Sequence, residues 1–208
     1  MKRILIGVSI AVVTFALGIA VATTSIKRPN SISPPIGDCV PRYDENVLAK
    51  SVRENDDPQL FRAFQELPLY AMPECVDEAY SLTWIPSFHA PVLVRVWRSG
   101  DRAFMVAKGL DTRGWSRFGK VNEYNSRALT KFEWRDFTDL LNRKSYWELS
   151  STVDEMSPQD GAGWLIDGLR SKQFHWVRRR IPNEDYAEIC KHLIRLSGLE
   201  TAHDLYLP

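Results

Sequence analysis

The sequence predicts an α+β fold: an antiparallel β-sheet with helices packed on one face, behind an N-terminal transmembrane helix or signal peptide. Three observations carry this. Short runs of alternating or β-branched residues recur with turn residues between them. Helical patterns with recognisable caps fall among them, without the regular strand–helix–strand alternation of a parallel sheet. The chain also opens on a long apolar run without charge. The expected division is a signal-anchor or signal peptide at 1–28, a tether at 29–44 and a single globular domain at 45–208, within a chain of 208 residues.

Lys2 and Arg3 precede the uncharged run from Ile4 to Ala22. As a helix this run spans about 28 Å, against roughly 30 Å of bilayer hydrocarbon. Its length and the following Lys27-Arg28 suit an uncleaved anchor. Ala20-Val21-Ala22 suits cleavage of a secretory signal. Both readings put the globular part outside the cytoplasm. Pro29, Pro34 and Pro35 then mark the tether.

Two short helices follow, near Asn46 to Val52 and Asp57 to Leu67. Asp57-Pro58 is a start signal, with proline at the first helical position. Tyr80 to Ile85 alternates as a strand. Pro86 and Pro91 bracket a turn with Phe88 and His89. Val92 to Trp97 and Ala103 to Lys108 alternate around the turn Ser99-Gly100-Asp101, which sets Trp97 opposite Phe104. Lys120 to Leu129 is polar and belongs at a sheet edge. Thr130 and Glu133 form a capping box for a helix carrying Trp134, Phe137, Leu140 and Leu141. Tyr146 to Leu149 is expected as a short extended anchor.

The C-terminal stretch forms the centre of the fold. Trp164 to Leu169 and Phe174 to Arg180 are expected as a hairpin around Ser171-Lys172. That loop sets Asp167 opposite Trp176 and Gly168 opposite His175. Trp164, Ile166, His175, Val177 and Arg179 then share one face. Leu165, Asp167, Leu169, Phe174, Trp176 and Arg178 share the other. Both faces are partly apolar, so the hairpin is expected inside the sheet and not at its rim. Asn183 caps a final helix whose stripe holds Tyr186, Ile189, Cys190, Leu193, Ile194 and Leu196, and Gly198 ends it.

Composition narrows the function. Four of the 27 basic residues precede Asn30 and none of the 26 acidic ones does, so the remainder carries a small net negative charge. General nucleic-acid affinity is not indicated, and strand alternation splits Arg178-Arg179-Arg180 between two faces. Cys39 and Cys75 can pair in an oxidising compartment, leaving Cys190 as a core thiol. The globular part has no G-x-S-x-G elbow. His89, His175, His192 and His203 lack metal-ligand spacing, and no cofactor is implied. Gly161-Ala162-Gly163 precedes a strand, which fails the context of a phosphate cradle.

One constellation keeps a chemical reading. Asp160, Trp164 and His175 are the candidate binding residues, with Asp167 nearby. An aspartate and a histidine side by side make an acid/base pair. The expected register sends Asp167 and His175 to opposite faces, which favours a structural histidine and a turn-capping aspartate.

Tyr80-Ser81-Leu82-Thr83-Trp84, Phe88-His89-Ala90-Pro91-Val92, Asp160 to Gly168 and Phe174-His175 together resemble a set of uncharacterised bacterial envelope proteins. These carry a D-G-A-x-W-x-x-E-G segment. Asp167 stands here where a glutamate is usual, and Phe174 where a tyrosine is usual. The resemblance implies architecture and location only. The expected place is the bacterial inner membrane by a single N-terminal helix, with the domain in the periplasm, or secretion if cleaved after Ala22. The partners expected are the membrane through residues 4–22 and a protein or an envelope polymer. The leading expectation is action by binding. The alternatives are an immunity or inhibitor protein against a toxin, and a hydrolase using His175 and nearby carboxylates.

Overall fold

The computed structural model describes Cys39 and residues 42–53, 56–111, 118–152 and 161–200. Two short helices come first, α1 (Glu45–Ser51) and α2 (Pro58–Phe64), then a 3-10 turn at Leu69–Ala71. Four strands follow: β1 (Glu78–Pro86), β2 (Val92–Ser99), β3 (Arg102–Leu110) and β4 (Val121–Leu129). Helix α3 (Lys131–Arg143), a 3-10 turn at Tyr146–Glu148, β5 (Ala162–Arg170), β6 (Gln173–Arg179) and α4 (Glu184–Ser197) are the remaining elements among the described residues. The fold is α+β, with one six-stranded sheet in the order β4-β3-β2-β1-β5-β6. Every neighbouring pair is antiparallel.

Local chemistry fixes the element ends. Asp44 and Asp57 accept from the first free N–H groups of α1 and α2. Thr130 and Glu133 close a reciprocal capping box on α3. Asn183 accepts from Tyr186 N–H at the start of α4, and Gly198 ends it at φ 61°. The β5–β6 hairpin has the expected register, with Asp167 opposite Trp176 and Gly168 opposite His175. Ser171 and Lys172 both take left-handed backbone, at φ 51° and 64°. That pair of angles is the two-residue turn whose twist matches the strands. Trp97 meets Phe104 across β2–β3, ring centroids 5.5 Å apart.

Three expectations need correction. The helices do not lie on one face only. Helices α3 and α4 cover one face, where Phe137, Leu140, Tyr186 and Leu193 pack on Tyr80, Leu82 and Trp164. The N-terminal segment covers the other face. Leu60 and Phe64 pack on Ile85, Leu93 and Leu110, while Leu69 and Val76 pack on Ala79, Trp97 and Phe104. The cause is visible in β1, where all nine residues are buried, so both faces need an apolar cover. The hairpin also reaches the rim, because β6 is an edge strand. Its outer side is covered by chain instead of by a strand: Arg178 N–H donates to Ser151 O at 2.8 Å, and Arg179 donates to Ser150 O at 2.8 Å. Finally, Tyr146–Glu148 is a 3-10 turn and not extended.

Candidate functional site

The sequence-selected residues that are described do not converge. Asp160 lies outside the described residues. Trp164 is 0% exposed and stacks on Trp84 at 5.4 Å between ring centroids, so its ring is core and presents no surface to a ligand. Asp167 and His175 emerge on opposite faces, as alternation from the register requires. Cys39 and Cys75 are joined as a disulfide with Cα atoms 5.6 Å apart. The Ser99 hydroxyl lies 3.1 Å from Cys39 Sγ, so the bridge meets the sheet at its β2–β3 turn.

His175 is the member with a developed environment. It is half-buried, and its ring lies edge-on to Tyr146 at 5.3 Å and tilted over Trp147 at 5.8 Å. Tyr146 and Trp147 come from the 3-10 turn after α3. Tyr146 docks that turn on the hairpin, its hydroxyl donating to Ile166 O at 3.1 Å and His175 O at 3.3 Å. Gly168, opposite His175, makes room for this ring. Burial lowers the His175 pKa, opposed by backbone groups of Tyr146 and Leu149. The imidazole is therefore neutral at pH 7.

The cluster extends along the same rim. Arg170 stands 4.6 Å over the Trp147 ring. Trp147 Nε1 donates to the Tyr80 oxygen at 3.3 Å, and Tyr80 donates to Glu78 Oε1 at 2.7 Å. Arg98 approaches the other Glu78 oxygen at 3.7 Å. Burial, and then the Glu78 carboxylate, push the Tyr80 phenol well above its ordinary range. A cation on a tryptophan beside a neutral imidazole thus stands at the turn end of β1, β5 and β6, and the buried Tyr80 phenol and Glu78 carboxylate hold the Trp147 ring in place. A guanidinium on an indole is a surface on which a flat ligand face can stack.

The opposite face holds a charge cluster that sequence reasoning missed. Arg95 (1% exposed), Lys108 and Glu66 are all buried. Glu66 bridges both cations, to Arg95 at 2.7 Å and Lys108 at 2.6 Å. Lys108 also donates to Phe64 O at 2.8 Å and Gln65 O at 3.0 Å. Together these bonds clip the end of α2 to the sheet. The available signal was a charged residue inside an otherwise apolar strand, Arg95 in β2 and Lys108 in β3.

Arg95, Ser81 and Asp167 lie in one row across β2, β1 and β5. Burial pushes the Asp167 carboxyl from 3.8 up to about 7, with Arg95 pulling it down and Asp56 pushing it up. Between about pH 4 and about 7 the folded chain therefore binds more protons than the unfolded one, and its stability falls as pH rises through that window. Asp167→Asn removes this titration. Its urea midpoint is expected to vary less across the window and to exceed the parent's above pH 7. Parallel pH profiles for the two proteins would refute the assignment.

Among the described residues no group of three or more His, Cys, Asp or Glu side chains is placed to hold a metal ion. No helix among them is long and apolar enough to cross a membrane, and the run Ile4 to Ala22 lies outside them. No family model, curated protein or solved structure matches the chain.

Proposed function

We propose that this protein is a bacterial envelope domain, tethered to the inner membrane or secreted, that acts by binding an envelope polymer along the His175 rim. The observation that carries the reading is the Arg170–Trp147–His175 stack, half-buried beside Glu78 and Tyr80. A partly exposed indole under a guanidinium, with an imidazole beside it, suits a polymer whose repeating units present a flat face and hydroxyl or amide groups. A protein partner of comparable affinity would ordinarily call on a broad apolar centre, and this rim is polar. Location is supported by the uncharged run behind Lys2-Arg3 and by the Cys39–Cys75 bridge.

The test uses the full chain in detergent, titrated with soluble peptidoglycan fragments and followed by tryptophan fluorescence. The expected result is saturable binding that weakens about tenfold or more in Trp147→Ala, a change equivalent to about 1.4 kcal/mol. Arg135→Ala, on the exposed side of α3, leaves affinity unchanged. Binding that survives Trp147→Ala in a folded protein would reject the rim. No response to any fragment would reject a polymer of this class and favour a protein partner.

A further inference from the structure

We propose that Arg170 is the group by which the rim selects an acidic polymer, one whose repeating units carry a carboxylate. The inference rests on the polymer reading above and adds the charge of the repeating unit. The first observation is a row of polar residues across the turn end of four strands. Arg98 of β2 stands opposite Glu78 of β1, Glu78 opposite Arg170 of β5, and Arg170 opposite Gln173 of β6. Glu78 therefore has a cation on each side, at strand spacings of about 4.8 Å. It is committed to one of them. Tyr80 donates to one Glu78 oxygen at 2.7 Å, and Arg98 lies 3.7 Å from the other. Arg98 also reaches Asp77 at 3.5 Å. Among the described residues no carboxylate lies within ion-pair distance of Arg170.

The second observation is how Arg170 is held. It is exposed, and its guanidinium stands 4.6 Å over the Trp147 ring. That ring is anchored in turn, its Nε1 donating to the Tyr80 oxygen at 3.3 Å. A long side chain is thus laid on a fixed surface, with less rotamer freedom left to lose on binding. Its fork of N–H donors matches the two oxygens of a carboxylate. Gln173, directly across the strand pair and exposed, supplies an amide next to it.

Charge sets the class of anion. One guanidinium without a counter-ion matches the single charge of a carboxylate. A phosphomonoester carries close to two negative charges at pH 7, and Glu78 on the neighbouring strand opposes the second. The indole and the His175 imidazole beside it take the flat face of the same unit. The ligand is a repeating unit with an uncharged face and one carboxylate at its edge.

Matched ligands test this on the full chain in detergent. Soluble peptidoglycan fragments are used with their carboxylates free, and again after conversion of those carboxylates to primary amides. Affinities are compared at pH 7 and about 0.15 M salt, where exposed charges more than about 8 Å away are largely screened. The parent is expected to bind the free-acid form about tenfold more tightly than the amide form, the scale of a charge-assisted hydrogen bond. Arg170→Gln is expected to bring that ratio to about one. Arg170→Lys keeps the charge without the fork and retains only part of the ratio. Arg102→Gln leaves it unchanged, because Arg102 stands at the same end of the sheet but over Phe104 on the other face.

Equal binding of both forms by the parent overturns the carboxylate and leaves the polymer reading standing. A ratio that survives in folded Arg170→Gln also overturns it, since another group then reads the charge. If Arg170→Gln does not fold, Arg170→Lys and the parent ratio still decide. Inorganic phosphate that displaces the free-acid fragments better than acetate at equal concentration overturns the carboxylate in favour of a phosphate group. Binding of neither form removes the polymer reading, and this inference with it.

Discussion

Glu66→Ala is expected to destabilise the fold by about 3–5 kcal/mol, the largest single effect anticipated outside the apolar core. One carboxylate serves two buried cations, Arg95 at 2.7 Å and Lys108 at 2.6 Å. Removing it leaves both charges beneath α2 without a counter-ion. The backbone acceptors Phe64 O, Gln65 O and Leu67 O remain, but they carry only partial charge. The loss therefore exceeds that of an exposed pair such as Arg62 with Glu45, which is worth about 0–1 kcal/mol. Urea denaturation gives the number. A triple variant, Glu66→Ala with Arg95→Met and Lys108→Met, is expected to recover much of the loss, since the penalty comes from stranded charge and not from missing attraction. A single-variant loss below about 1 kcal/mol would mean that water reaches the cations, contrary to their burial.

Gly168→Ala is expected to cost about 1–3 kcal/mol, in the range of overpacked cores. A methyl there would lie 2.8 Å from Tyr146 Cε1 and 3.1 Å from both the Tyr146 hydroxyl and Tyr80 Cε1. Neither ring can retreat easily. Tyr146 is held by Ile166 O and His175 O, and Tyr80 by Glu78. The sign is informative, because alanine ordinarily improves on glycine inside a strand. The same methyl pushes on the turn that carries Trp147, so the affinity proposed for the rim is expected to fall together with stability. Pairing Gly168→Ala with Tyr146→Leu is expected to relieve part of the stability loss. A neutral or stabilising Gly168→Ala would show that the rings are not pinned.

What could be read in advance was local. The capping box at Thr130, the caps at Asn183 and Gly198, the Ser171-Lys172 register and the edge position of β4 each follow from a few adjacent residues. What could not be read was long-range. Strand β1 pairs with β5, Trp84 opposite Trp164, far along the chain, and no local pattern selects that partner. The two-sided cover of the sheet was implicit in the both-faced apolarity of Val92 to Trp97, but the identity of the cover was not. His175 was singled out, yet its neighbours Tyr146 and Trp147 came from a segment expected to be extended. Trp164, chosen with it, is buried in the core and did not join the rim, and Asp160 lies outside the described residues. Glu78, Tyr80 and Arg170 were missed because only the assembled sheet sets them in adjacent rows.

The Cys39–Cys75 bridge gives the domain a definite load path. Tension arriving from the amino-terminal side crosses the disulfide and reaches the head of β1. Helices α1 and α2, with the Glu66 charges, sit inside the closed loop and carry none of it. Strand β1 is hydrogen-bonded along both sides, to β2 and β5, so the force is resisted by two ladders in shear. Reduction would reroute the same pull through the helices and peel them from the sheet first.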